Sequence, residues 1–406
     1  MIANHLAPFG TSVFATMSRL AAEHNAVNLS QGFPDFDGPD WIKAAAKAAI
    51  DTHSNQYAPL PGIPTLRNAI AKRFTRDTNL PCDPETQTVV TVGCTEAIAA
   101  TMLGLLNPGD KVVLIEPFYD CYRACVALAG AHVLPVPLRP VITGNKITSM
   151  QLDEAALCAA MAQGPKLILV NTPHNPTGKV FTREELTLIA TLCIKHNVIA
   201  VSDEVYERLL FDGAEHISIA TLPAMADRTI TLSSMGKTFS LTGWKIGWAI
   251  GHPDLIAGVR AAHQFLSFSV ATPLQHAAVA ALERESEALA QLLPLLQEHR
   301  DLLADCLSKI GLTIHNPRAG YFIYADHTAL SRRLGVTDDL ALCMALIKNP
   351  GVAAIPPSAF YTQPADGHSL IRFAFCKKRQ TITEAIRRLH TLASTQTHHS
   401  PQNSSI

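Results

Sequence analysis

The chain has 406 residues, 48% of them hydrophobic, and its 33 basic and 34 acidic side chains leave a formal charge of −1. That length allows two or three domains with substantial cores, and so small a charge provides no bulk attraction to nucleic acid or an anionic membrane, so a small molecule is the expected partner. No uncharged apolar stretch reaches the ~20 residues of a membrane span, the start MIANHLAPFGTSVFATMSRL is not a signal sequence, and the nine cysteines form no CxxC pair, which predicts a cytoplasmic protein with free thiols.

In chain order, the segment NLSQGFPDFDGPDW (28–41) is punctuated by glycine and proline and reads as an extended lead-in. From about 88 to 235 one arrangement repeats: a β-branched run, a turn, then a helical pattern. The runs are TVVTV (88–92), KVVLI (111–115), HVLPV (132–136), KLILV (166–170), VIAVS (198–202) and TITLS (229–233). They are apolar on both faces, as strands of a covered parallel sheet are. This predicts an α/β fold, a mostly parallel central sheet sandwiched by helices. Residues 273–310 read as one long helix or two, with Pro294 as a candidate kink, and Cys121 and Cys125 share a helix face. Residues 311–390 alternate strand and helix patterns, as a smaller α+β domain does. The expected division is a large domain over 41–285, a small one built from 1–40 and 286–390, and a polar, disordered tail over 391–406. No repeat of solenoid length is present.

Open parallel sheets place ligands at the carboxyl ends of their strands, and here those ends are polar. After TVVTV comes Gly93-Cys94-Thr95-Glu96, a turn opening a helix whose free N–H groups suit a phosphate or, more plainly, a cap. After KVVLI, Phe118 and Tyr119 offer a flat face. NTPHNPTG (171–178) offers Asn175, which has several hydrogen-bonding groups to satisfy. Asp203, with Tyr206 three residues on, is a carboxylate at a covered strand end and requires a cation. Ser234 and Lys237 follow TITLS. Gly236-Lys237-Thr238 also mimics the end of a Walker A loop, but Thr231 stands where that loop needs glycine. A phosphate cradle, an aromatic slab, an amide, an acid with a phenol, and a lysine together match the inventory of pyridoxal 5'-phosphate.

The stretches NTPHNPTGKVF, SDEVY, SSMGKTFSLTGWKIGW and IRFAF resemble the motifs of the fold-type I, class I/II aminotransferases. NLSQGFPDF and PFYDCY resemble the kynurenine, glutamine and methionine transaminase branch, and the similarity runs from about residue 8 to 390. The resemblance implies pyridoxal 5'-phosphate and a homodimer. Lys237 then forms the covalent link to the cofactor and shuttles the proton. Asp203 pairs with the pyridine nitrogen, Asn175 and Tyr206 bond the ring oxygen, and Tyr119, preferred over Phe118, stacks on the ring. Cys94, Thr95, Ser234 and Lys245 hold the phosphate, with Tyr57 supplied by a neighbouring subunit. Cys94 replaces a small residue, which a backbone contact tolerates. Arg372 grips the substrate α-carboxylate, and Gly32 closes over it.

Dicarboxylate-specific relatives carry an extra arginine. The comparable segment AAHQFLSFSVATPLQ (261–275) has none and offers Phe265 and Phe268 as an apolar wall. The expected donor is therefore a neutral, apolar or aromatic amino acid, such as methionine, glutamine, phenylalanine or kynurenine, with a 2-oxo acid as acceptor. N-succinyldiaminopimelate transamination and β-elimination from cysteine S-conjugates stay open on the same scaffold. A non-enzymatic cofactor-holding regulator is disfavoured, because the transaminase-like pattern begins within ten residues and no basic extension precedes it.

Overall fold

A computed structural model describes residues 2–52, 54–144 and 146–393. Among them the strands are β1 (Val27–Asn28), β2 (Thr88–Val92), β3 (Lys111–Glu116), β4 (His132–Thr143), β5 (Lys146–Leu152), β6 (Leu167–Asn171), β7 (Ile199–Asp203), β8 (Thr229–Ser234), β9 (Ile246–Gly251), β10 (Thr313–His315), β11 (Phe322–Asp326), β12 (Val352–Ala353) and β13 (Leu370–Ala374). β1 pairs with β12; the others form one sheet in the order β13-β11-β10-β5-β4-β3-β6-β7-β8-β9-β2.

The six expected strands are present, and the centre β4-β3-β6-β7-β8 is parallel. Alternate residues explain why these runs are apolar on both faces. Val113, Ile115, Ile168 and Val170 pack on one side with Leu157, Leu186 and Ile189. Val112, Leu114, Leu167 and Leu169 pack on the other with Ile98, Val126 and Val259. Each such side chain contributes roughly 1.5–3 kcal/mol by leaving water, and truncating Ile168 to alanine would cost on the order of 2–5 kcal/mol.

Three departures from the expectation have physical causes. β4 continues past residue 136 and pairs antiparallel with β5, with a register shift between Val141 and Ile142. Pro137 and Pro140 lack the donor a strand ordinarily uses, which hides this hairpin in the sequence. β9, fully buried and antiparallel to both β8 and β2, was also unforeseen. Its Gly247 carries the reason: a Cβ there would lie 2.4 Å from the Gly93 carbonyl carbon and 2.6 Å from the Cys94 nitrogen. The third concerns only where the long helical stretch breaks: it forms two helices, as one of the expected readings had it, but they divide at Arg284, Thr272–Glu283 and Glu285–Lys309, with Pro294 inside the second.

Met17, Ala21 and Leu29 share a core with Leu303, Ile323 and Phe373, so segments near both chain ends pack together. The strands β10, β11 and β13 extend the main sheet, joined to β5 among the described residues by the pairs Ile314 with Lys146 and His315 with Ile147. Of the tail expected over 391–406, residues 394–406 lie outside the described residues; Leu392 is buried in the 3₁₀ turn His390–Leu392. No helix among the described residues is long and apolar enough to cross a membrane.

Candidate active site

The parallel strands β3, β6, β7 and β8 end at one edge of the sheet, and β9, running the other way, begins there. This brings Tyr119, Asn175, Asp203, Ser234, Lys237 and Lys245 onto one cavity of about 340 Å³. Gly32, Cys94, Thr95, Tyr206 and Arg372 line the same cavity. Of the residues expected to bind cofactor or substrate, all but Tyr57 are there, and Phe265 and Phe268 of the expected apolar wall are not.

Lys237 sits in a four-residue helix, Met235–Thr238, directly after β8. The turn closes through Leu241 N–H donating to the Gly236 carbonyl at 3.1 Å, with Ser240 at φ 56°. Its Nζ lies 5.7 Å from the ring centres of both Tyr206 and Tyr321. Burial pulls the ammonium below its ordinary 10.5, against the fields of Cys376 and Asp203, which raise it. The amine is thereby poised toward its neutral, nucleophilic form.

Asp203, 4% exposed, ends β7. Tyr122 Oη donates to its Oδ2 at 2.6 Å, while Oδ1 accepts from Val205 N–H at 3.3 Å and from Cys94 Sγ at 3.5 Å. Burial raises the carboxyl above its usual range despite these donors. Asn171 Nδ2 donates to the Asp203 carbonyl at 2.9 Å, and Asn171 Oδ1 accepts from Asn175 N–H at 2.7 Å, which ties β6 and the NTPHNPTG loop to the same point.

Arg372 is 1% exposed on β13. Its Nη2 donates to the Ser30 carbonyl at 2.8 Å and its Nη1 to Asn175 Oδ1 at 3.1 Å, while Nε has no partner among the described residues. The guanidinium lies over Phe322 at 4.1 Å and over Phe14 at 5.2 Å. Burial lowers its pKa to about 10, and no carboxylate pairs with it. Gly32 belongs here because a Cβ would come within 2.6 Å of the Phe322 ring, and its carbonyl accepts from Tyr321 Oη at 2.7 Å.

Lys245 adopts a left-handed conformation, φ 54°, at the entry to β9, and its Nζ reaches Thr95 Oγ1 at 3.3 Å. Gly93, at φ 68°, makes room for it, since a Cβ would stand 3.0 Å from that Nζ. Helix Gly93–Leu105 thus presents its first N–H groups beside a lysine, an arrangement that holds a phosphate through its positive end and a point charge.

Tyr119 faces the cavity while Phe118 is buried in the core behind it, in line with the preference for Tyr119. Tyr122, Asn171, Phe14 and Phe322 line the cavity without having been foreseen. Tyr122 carried a signal, one helical turn after Tyr119 in PFYDCY; the lone phenylalanines had none to separate them from core residues. Phe265 and Phe268, expected as an apolar wall, are 86% and 46% exposed and do not line this chain's cavity. Tyr57, 84% exposed, packs edge-on against Phe268 at 5.4 Å.

Three cations and one acid therefore meet in one cavity, and none of the four is ion-paired with another described residue. Buried charges left unpaired are costly. The set suits a dianionic group at Lys245, a protonated ring nitrogen at Asp203, a carbonyl at Lys237 and a carboxylate at Arg372. Pyridoxal 5'-phosphate fits the first three, and an amino acid the fourth.

The profile of the family described as Aminotransferase class I and II matches residues 24–389. The structure of N-succinyldiaminopimelate aminotransferase from Mycobacterium tuberculosis is similar at 48% identity and TM-score 0.91, covering 97% of this chain and 100% of that one. Kynurenine–oxoglutarate transaminase 3 of Rattus norvegicus is 40% identical over 92% of this chain and 86% of its own length. The methionine aminotransferase of Escherichia coli is 36% identical over 95% of this chain and 97% of its own.

Proposed function

Because this chain belongs to the class I and II aminotransferases, we propose the following roles for its residues in a pyridoxal 5'-phosphate-dependent transamination. When bound, the cofactor supplies a carbonyl that takes up the amino group and a cationic ring that draws electrons from the substrate Cα. Lys237 would hold the cofactor through that carbonyl, and its amine is the group placed to take the proton from the substrate Cα. Asp203 keeps the ring nitrogen protonated. Asn175 and Tyr206 bond the ring oxygen, and Tyr119 covers the ring face. The Cys94 and Thr95 N–H groups, Ser234 and Lys245 hold the phosphate. Arg372 binds the α-carboxylate under Gly32, fixing which Cα bond stands ready to break. The observation that carries this reading is the meeting of Lys237, Asp203, Lys245 and Arg372 in one cavity, none of them ion-paired with another described residue.

The donor is a neutral, apolar or aromatic amino acid. Phe14, Phe33 and Phe322 supply apolar lining, and every lining cation already has an assigned anion or carbonyl. Similarity at 48% identity to the Mycobacterium tuberculosis enzyme favours a second reading, in which N-succinyldiaminopimelate is the substrate and its distal carboxylates find a cation on another copy. Exposed Tyr57, Phe265, Leu266 and Phe268 support a homodimer that buries this patch and carries Tyr57 to the neighbour's cavity. Nine unpaired cysteines support a reducing, cytoplasmic setting.

A panel of amino acids added to the cofactor-loaded protein tests the reading through the loss of visible absorbance as the amino group is taken up. Methionine, phenylalanine, glutamine or kynurenine should bleach it fastest, and a faster response to N-succinyldiaminopimelate selects the second reading. A protein that no amino acid bleaches is not an aminotransferase of this kind.

A further inference from the structure

Asp203 is the one acid among the cavity's four uncompensated charges, and its surroundings are unusually complete. A carboxylate has about four lone-pair positions, and this one already receives Tyr122 Oη, Val205 N–H and the Cys94 thiol. One position is left for a ring nitrogen. The three donors are unequal: the phenol at 2.6 Å is much closer than the amide at 3.3 Å and the thiol at 3.5 Å. Tyr122 is 2% exposed, and its ring is held edge-on by Tyr119 at 5.7 Å, so the hydroxyl is aimed by packing.

We propose that Tyr122 is a positioning residue for the reaction, with Cys94 as its weaker companion: its hydroxyl holds Asp203 ionised and oriented, so that the proton shared with the ring nitrogen stays on the ring. This rests on the role given to Asp203 above. A donor to a carboxylate favours the charged form. Lose it, and the proton moves toward Asp203 and the ring loses its positive charge. Around Asp203, Tyr119 and Tyr206 are neutral phenols, Glu207 opposes ionisation, Lys237 favours it, and Tyr122 and Cys94 contribute hydrogen bonds.

The test compares wild type, Tyr122→Phe, Tyr122→His, Asp203→Asn and the Tyr122→Phe/Asp203→Asn double variant. The phenylalanine keeps the packed ring and removes only the donor; the histidine restores one. Equilibrium dialysis gives the pyridoxal phosphate Kd, and a pH titration of the bound cofactor's visible absorbance gives its midpoint. Tyr122→Phe should weaken the cofactor about tenfold, the loss of one charge-assisted hydrogen bond, and raise the midpoint by about one unit. It should also lower kcat while the amino-acid KM stays within about twofold, and Tyr122→His should recover part of each change. In the Asp203→Asn background the same substitution should leave Kd unchanged. The proposal is overturned if Tyr122→Phe binds and titrates like wild type, or loses the same factor without Asp203. Should Tyr122→Phe not fold, Cys94→Ala must raise the midpoint by a smaller amount, and an unmoved midpoint there overturns the proposal. Wild-type protein that refuses pyridoxal phosphate fails the site reading itself, whereas wild type that binds beside an indifferent Tyr122→Phe fails only this inference.

Discussion

Replacing Arg372 with alanine isolates substrate capture from cofactor binding. The guanidinium has an unpartnered Nε and no carboxylate of its own, so its spare capacity matches one bidentate anion. Two charge-assisted hydrogen bonds at ~1.5–2 kcal/mol each amount to about 3–4 kcal/mol. At about 1.4 kcal/mol per decade, kcat/KM should fall by roughly 10²–10³. Most of that loss should appear in KM, because the carboxylate is gripped before and during the reaction. The cofactor should be nearly indifferent, with Kd within about threefold, since of the groups assigned to it Arg372 bonds only Asn175, at 3.1 Å. Steady-state kinetics with methionine and equilibrium dialysis with pyridoxal phosphate measure the two quantities separately. A variant whose cofactor affinity drops as far as its kcat/KM, with KM unmoved, would falsify the assignment and make Arg372 a structural cation.

Lys237→Ala should fold and bind pyridoxal phosphate without a borohydride-reducible link, and a reducible adduct in that variant refutes the role of Lys237. Wild-type apoprotein should capture the cofactor faster as pH rises, with a midpoint below 10.5 because burial depresses the ammonium; a midpoint at or above 10.5 counts against the buried amine. Gly247→Ala should weaken the cofactor at least about tenfold, since its Cβ would strike backbone at Gly93 and Cys94; unchanged dialysis would show that the phosphate seat tolerates movement. Glu285 bonds Arg73 at 2.8 Å and Arg76 at 2.9 Å. Burial alone would raise its pKa, but the charges of Arg73 and Arg208 and the hydrogen bonds bring it below 4.5. Its contribution is present above pH 4.5 and is lost as pH falls through the folded-state value. Glu285→Gln should therefore lose about 3 kcal/mol at pH 7 and approach wild type in acid, as urea melts at pH 7 and pH 3 would reveal; equal losses at both values exclude an ionic role.

The site was readable where a strand's last residue breaks its own pattern. Asp203 after VIAVS and Lys237 after TITLS are polar groups at the ends of runs that are otherwise buried, and a covered sheet puts such ends together. Contacts made across the chain were not readable. Tyr122 meets Asp203 over a separation of 81 residues, and Arg372 meets Asn175 over 197; nothing local encodes either meeting. β9 escaped because its Gly247 makes room for the neighbouring helix start and its Gly251 for strand β8, so neither reads locally as a strand residue. Phe265 and Phe268 are exposed and lie outside this chain's cavity, and nothing local tells whether an aromatic segment walls its own chain's cavity or another surface.

The join between β5 and β10, through Ile314 with Lys146 and His315 with Ile147 among the described residues, has a mechanical corollary. Among the described residues Lys237 stands on the β8 side of that seam and Arg372 on the β13 side, so under the proposed roles an amino acid held at Arg372 against a cofactor held at Lys237 would bridge it. Saturating amounts of an unreactive amino-acid analogue, added to the cofactor-loaded protein, should then do more than lift the melting temperature by mass action. They should sharpen the melt, because the two flanks can no longer part company before the whole sheet gives way.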